Sequence, residues 1–179
     1  MVLIGPESTG KTRLTEDLAA RHRVPFSAEY ARTYVERQRA TLSYADVEPI
    51  ARGQRQVEDA ALLSAERAGA PLVLLDTDLV STMVYSRHYY GACPPRVEEA
   101  AWRRRGELYL LHHVDVDWKA DGPQREQPDR RGELFGRFRT VLAALDGTRV
   151  VEIQGVWDER RQRAIEAIEW LLTSGRSGS

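Results

Sequence analysis

The amino-acid sequence predicts an α/β fold: a mostly parallel, five-stranded sheet with helices on both faces and one irregular segment long enough to act as a lid. Three observations carry this. Short apolar runs alternate with segments of helical spacing about five times along the chain. Two of those runs, Leu72-Val73-Leu74-Leu75 and Leu108-Tyr109-Leu110-Leu111, are apolar without alternation, which fits burial on both faces of a parallel sheet. No linker or internal repeat divides the 179 residues, which suit one domain over residues 1–173 and a flexible tail over 174–179.

The elements follow in order. Val2-Leu3-Ile4 is a buried first strand that stops at Gly5. Residues 11–22 place Leu14, Leu18 and Ala19 at helical spacing. Val24-Pro25-Phe26 is a short second strand whose proline suits an edge or a strand start. Residues 29–39 read as a helix with Tyr30, Tyr34 and Val35 on one face. Residues 43–68 read as a long helix, with Ser43 and Asp46 as a capping box and Gly69 as its C-cap. A strand over 71–76 and a helix over 79–90 come next; Pro94-Pro95 then breaks the chain before a helix over 97–104. A strand at 108–111 leads into the polar stretch 115–131, followed by a helix at 133–145, a strand at 150–153 and an amphipathic helix at 158–172.

Composition excludes several function classes. The chain is 42% hydrophobic and 30% charged, so it can bury a core and keep a solvated surface. Its net charge of −1 argues against a dedicated nucleic-acid binder. Cys93 is the one cysteine, which rules out an internal disulfide or a cysteine metal cluster, and Cys93 reads as inert. No apolar run reaches the roughly 18 residues a membrane span needs. The opening MVLIGPES lacks the charged and apolar regions of a secretion signal, so a reducing cytoplasm is expected. Lys11 and Lys119 are the only lysines among 26 basic residues, so Lys11 stands out.

Residues 5–12, GPESTGKT, match the phosphate-loop pattern G-x-x-x-x-G-K-[ST] in full, between an apolar strand and an amphipathic helix. Gly5, Glu7, Ser8, Thr9, Gly10, Lys11 and Thr12 are therefore candidate ATP contacts. Glycines let successive N–H groups point at phosphate oxygens, and the following helix adds its positive end. Lys11 is placed for the β and γ phosphates and the Thr12 hydroxyl for Mg²⁺. Asp76, closing a buried strand, is the candidate acidic partner of the metal. Asp78 either faces substrate or caps the next helix. Glu29 directly follows the second strand, where loops line the ligand crevice of an open α/β sheet; it is a candidate base or ribose contact, or else a helix-end acid.

The polar stretch 115–131 holds Arg125, Arg130 and Arg131, any of which could close over a transferring phosphoryl group. Trp118 within it is either a core anchor or a stacking platform. Adjacent residues on a strand point to opposite faces, so His112-His113 is not a metal pair, and Arg103-Arg104-Arg105 reads as a solvated helix end. Residues 155–158, after the last strand, are the expected adenine side.

Taken together, GPESTGKT, Glu29-Tyr30-Ala31-Arg32-Thr33-Tyr34, Asp76-Thr77-Asp78 with Ser81-Thr82, and Trp118, Asp121-Gly122 and Arg125 resemble the ribosylnicotinamide kinase domain of NadR-type proteins, in order and spacing over residues 1–172. The resemblance implies a P-loop kinase fold, ATP with Mg²⁺ as donor, and phosphorylation of nicotinamide riboside to nicotinamide mononucleotide in NAD salvage. It implies Lys11 and Thr12 as phosphate and magnesium contacts, Asp76 as the acidic metal partner, and Glu29 at the ribose hydroxyls or as base. It adds Trp118 at the nicotinamide pocket and Arg125 as lid arginine. The expected catalytic set is thus Lys11, Glu29, Asp78 and Arg125, with Glu29, Tyr30, Asp78 and Trp118 as substrate contacts and Thr12 and Asp76 at the metal. The adenylyltransferase and helix-turn-helix segments that NadR-type proteins can carry ahead of the kinase do not lie within these residues. A kinase for another nucleoside or nucleotide, and a nucleotide-sensing module without chemistry, are the alternatives.

Overall fold

The computed structural model describes residues 1–38, 41–117 and 130–174. Among the described residues, five strands form one parallel sheet: β1 (Val2–Ile4), β2 (Phe26–Ser27), β3 (Leu74–Asp76), β4 (Leu108–His112) and β5 (Arg149–Ile153), in the order β2-β3-β1-β4-β5. Every pairing is parallel, so the sequence expectation of a mostly parallel sheet tightens to an all-parallel one. The helices are α1 (Lys11–His22), α2 (Tyr30–Gln38), α3 (Val47–Ala68), α4 (Leu79–Tyr90), α5 (Pro95–Arg103), α6 (Arg131–Ala143) and α7 (Trp157–Ser174).

The pleat of the strands sorts the core into two layers. Val2, Ile4, Leu75, Tyr109 and Leu111 face α3, α4, α5 and α6, with Met83 and Phe138 at the centre of that layer. Leu3, Leu74, Leu108, Leu110 and Ile153 face α1 and α7, meeting Leu14, Leu18, Ala164 and Ile168. The unbroken apolar runs in the sequence are therefore strands sandwiched between helices.

Several boundaries differ from the sequence reading, among them the strand expected over 71–76, which covers only Leu74–Asp76. The second strand starts at Phe26, because the Val24 N–H closes α1 onto the Ala19 carbonyl and Pro25 supplies only its carbonyl, to the Leu74 N–H. The Ser43/Asp46 capping box forms, but it heads a 3-10 turn over Tyr44–Asp46 that then passes into α3. α6 begins at Arg131, so the expected lid over 115–131 ends a residue early. Gly69 closes α3 in the left-handed conformation, as its position implied. The tail 175–179 lies outside the described residues.

Candidate active site

All five strands end at one edge of the sheet, and the chemistry-bearing residues leave from those ends. The loop after β1 is residues 5–10. It crosses so close over β4 that a Cβ at Gly5 (φ 135°) would lie 2.8 Å from the His112 carbonyl oxygen, so only glycine fits there. Ser8 (φ 54°) is in the left-handed region, and this alternation of backbone hand turns N–H groups to one side as an anion nest. Side chains brace the loop from inside and outside. Thr9 Oγ1 and Lys11 Nζ both donate to the Pro6 carbonyl, at 2.8 and 2.7 Å. Arg160 Nη1 donates to the Thr9 carbonyl at 3.3 Å, and Arg131 Nη2 to the Ser8 carbonyl at 3.3 Å. His112 Nδ1 lies 3.1 Å from the Thr9 carbonyl. Burial pushes His112 down to about 3, so the ring is neutral near pH 7 and carries its proton on Nδ1, facing that acceptor.

Thr12, in the first turn of α1, donates its hydroxyl to Asp76 Oδ2 at 2.6 Å. Burial raises the Asp76 carboxyl, while Lys11 and the Thr12 hydrogen bond favour the ionised form. Asp76 Oδ1 is buried without a hydrogen-bond partner among the described residues. A hydroxyl and a carboxylate with one oxygen to spare, at the mouth of a phosphate nest, suit Mg²⁺, which is bound by one or two protein oxygens and otherwise by water and phosphate.

Two cavities meet at the β2–α2 junction. The larger, about 940 Å³, runs from Ser8–Leu14 past Arg32, Asp115 and Arg160 to Gly155, Val156 and Trp157. The smaller, about 110 Å³, lies between α2, α3 and α4 and is walled by Val35, Ile50, Ser81, Thr82, Tyr85, Tyr89 and Tyr90. Glu29 lines both. The far end of the larger crevice is tightly tied. Arg160, 2% exposed, also donates through Nε to the Gly155 carbonyl at 2.8 Å and pairs with Asp115. Asp115 Oδ2 accepts from the Gly155 N–H at 2.6 Å. The Arg13 guanidinium stacks on the Trp157 ring at 3.9 Å. The stretch 155–158 expected on the adenine side contributes Gly155, Val156 and Trp157 to this crevice.

The structure gathers Ser8, Thr9, Gly10, Lys11, Thr12 and Glu29 at the larger crevice, with Asp76 bonded to Thr12 beside it. It corrects three expectations. Asp78 lines neither cavity; it is 3% exposed, its Oδ1 caps α4 at Ser81 N (3.2 Å) and its Oδ2 accepts from the Tyr109 hydroxyl (2.5 Å). Both oxygens are engaged within the fold and the residue is buried, so Asp78 is placed as a helix cap away from the cavities. Tyr30 likewise lines neither cavity, because its ring packs onto α3 where a Cβ at Gly53 would overlap it. The Glu7 side chain turns from the crevice to Tyr85. Trp118 and Arg125 lie outside the described residues.

Arg32, Asp115, Arg160 and His112 are among the crevice-lining residues that sequence reasoning left out, and Arg131, one of its three candidate arginines, contacts the loop at Ser8. Arg32 sits inside the quoted EYARTY element, and a basic residue there was the available signal. His112-His113 does split as expected, His113 turning to Glu152 at 3.1 Å. Cys93 is buried and pushed up to about 11 by that burial, consistent with an inert thiol.

A family model described as an AAA domain matches residues 1–160. The chain belongs to this family. It is 31% identical over 186 residues to the trifunctional NAD biosynthesis/regulator protein NadR of Escherichia coli strain K12, covering 98% of this chain and 43% of that protein. The NadR of Salmonella typhimurium is 31% identical over 177 residues, covering 96% of this chain and 42% of that protein. The chain thus spans less than half the length of these relatives. A crystal structure of NadR in complex with NR superposes with a TM-score of 0.77 at 28% identity, over 93% of this chain and 49% of that one. Another, in complex with NAD and AMP-PNP, gives 0.73 at 27% identity, over 93% and 47%. The fold recurs in YorR of Bacillus subtilis, with a TM-score of 0.58, 14% identity and coverage of 99% and 98%. The chain is therefore a NadR-type P-loop domain, nucleotide-binding and kinase-like. No helix among the described residues is long and apolar enough to cross a membrane.

Proposed function

We propose that this domain transfers the γ-phosphoryl group of ATP to the 5′-hydroxyl of nicotinamide riboside, giving nicotinamide mononucleotide within NAD metabolism. The observation that carries the reading is Glu29, a residue that lines both the phosphate crevice and the tyrosine-walled cavity. A base must reach the acceptor hydroxyl while the acceptor faces the γ phosphate, and a residue shared by the two cavities meets that demand. The NadR proteins whose structures hold NR, and NAD with AMP-PNP, support the choice of acceptor and donor.

In this reading the acceptor oxygen attacks the γ phosphorus, the bond from that phosphorus to the bridging oxygen breaks, and Glu29 takes the hydroxyl proton. Lys11 and the loop N–H groups balance charge on the phosphates. Arg131, the first residue of α6, would support them: it is buried and already contacts the loop at Ser8. Thr12 and Asp76 would hold Mg²⁺, which supplies charge neutralisation at the phosphates. Arg160 holds the base-side loop against the phosphate loop.

The same cavity favours a nucleoside over a nucleotide acceptor, since no arginine or lysine lines it among the described residues. A monophosphate would need such a cation. The test is a coupled assay for ADP with Mg²⁺, ATP and nicotinamide riboside, run beside a panel of other nucleosides and nucleotides. Turnover with nicotinamide riboside, lost roughly 10³-fold in Lys11→Ala, supports the proposal. Turnover with a different nucleoside alone would replace the acceptor, and no turnover with any would remove the kinase reading.

A further inference from the structure

Glu7 occupies a position in the phosphate loop where a carboxylate is electrostatically adverse. The loop is built to surround a polyanion, and a like charge turned inward would repel it. Yet the side chain is 2% exposed and is not among the described residues lining the nucleotide crevice. Its Oε2 accepts from the Tyr85 hydroxyl at 3.0 Å, across 78 residues of sequence. Tyr85 belongs to α4 and lines the other cavity. Its ring is fixed on two sides, stacked on Tyr89 at 6.0 Å and 13°, and edge-on to buried Phe138 at 5.6 Å and 78°. One phenol therefore touches the acceptor-side cavity with its ring and the donor loop with its hydroxyl.

We infer that Tyr85 is a positioning residue coupling the two substrate sites: its hydroxyl holds the Glu7 carboxylate out of the triphosphate nest, and an acceptor packed against its ring strengthens that hold. The acceptor half rests on the reading of the small cavity given above; the donor half does not. Nucleotide affinity should thus depend on a tyrosine that does not border the nucleotide crevice, and do so through a carboxylate.

The test is a double-mutant cycle read by calorimetric titration with Mg²⁺ and AMP-PNP, first without acceptor, on the full chain after melting curves confirm folding. Tyr85→Phe is expected to weaken AMP-PNP binding about tenfold, the scale of one like-charge contact screened largely by water. Glu7→Gln in the Tyr85→Phe background is expected to restore most of that loss, and Glu7→Gln alone to bind at least as tightly as the parent. Nicotinamide riboside should then tighten AMP-PNP binding in the parent and not in Tyr85→Phe. Unchanged affinity in Tyr85→Phe, or an equal loss in both single variants without rescue, overturns the coupling. Should Tyr85→Phe fold poorly, weakened binding in Glu7→Gln alone overturns it. Turnover of nicotinamide riboside with flat AMP-PNP affinities would sink this inference and leave the function standing. Rescue by Glu7→Gln without any nicotinamide riboside turnover would keep the donor half and sink both the function and the acceptor half.

Discussion

The two sides of the site, donor and acceptor in the proposed function, are built in opposite ways. The donor side is local: residues 5–12 are contiguous, and most of what they offer a phosphate is backbone, held by buried cations on carbonyls. The acceptor side is assembled: α2, α3 and α4 each lend a few side chains from residues 29 to 90, and rings on one another form much of the wall. The volumes follow suit, about 940 Å³ against about 110 Å³. A backbone nest needs glycines and a fixed hand, so it tolerates little change and recurs in unrelated chemistries. A side-chain cavity can be re-cut by single substitutions, which is where acceptor identity among such domains can change.

Glu29 sits on the border, and removing it is the largest way to break this contrast. Glu29→Ala should lower kcat about 10²-fold, the usual scale for a general base, while AMP-PNP affinity stays within about twofold. Steady-state rates and direct titration measure the two separately. A variant that lost nucleotide affinity and kept kcat would move Glu29 wholly to the donor side.

Arg160 sharpens the donor half. It is buried, and its guanidinium ties the Thr9 carbonyl of the phosphate loop to the Gly155 carbonyl of the base-side loop, with Asp115 as counter-charge. Arg160→Met keeps the length and loses these bonds. The KM for ATP should rise about tenfold, since both loops then shift by fractions of an ångström, while the KM for the acceptor stays within about twofold. Initial-rate measurements varying each substrate in turn decide it. Equal rises in both would mean that the two sides are less separate than their construction suggests.

The same contrast governs what could be read from the residues alone. The sheet, its helices and the donor loop were legible because they depend on runs and spacings: the apolar 72–75 and 108–111, and the glycines and lysine of 5–12. The places of Glu29 and Asp76 were legible because each stands at the carboxyl end of a strand, the edge that faces the crevice. Arg160 was not, and Arg131 was only one of three candidate arginines, for each becomes special only when α6 or α7 folds back on the loop, and arginine is the common cation throughout this chain. Tyr30 misled because its helical face was clear but its neighbour Gly53, which gives the ring its seat, is 23 residues away on another helix. Asp78 misled for a different reason: one residue type serves equally as a substrate contact and as a helix cap, and the preceding strand end favours both.

Asp78 therefore supplies the smallest expected effect on turnover and a distinct effect on stability. Asn at this position can still cap Ser81 with its oxygen and turn its amide to the Tyr109 oxygen, so Asp78→Asn should keep kcat within about threefold. Stability should separate the two proteins by pH. Burial pushes the Asp78 carboxyl up to about 6 from 3.8, against the opposing pull of the Tyr109 and Ser81 hydrogen bonds. A carboxyl raised on folding holds its proton more tightly in the folded state than in the unfolded one. Its stabilising contribution is then full below about pH 3.8 and fades as pH rises through 6. The parent should lose stability relative to Asp78→Asn between pH 4 and 7, by at most about 3 kcal/mol, as read from urea unfolding at several pH values. A parallel pair of pH curves would mean that Asp78 is already ionised in the fold. A hundredfold fall in kcat with intact nucleotide affinity would return Asp78 to the acceptor side, and the division between a local donor site and an assembled acceptor site would have to be redrawn through α4.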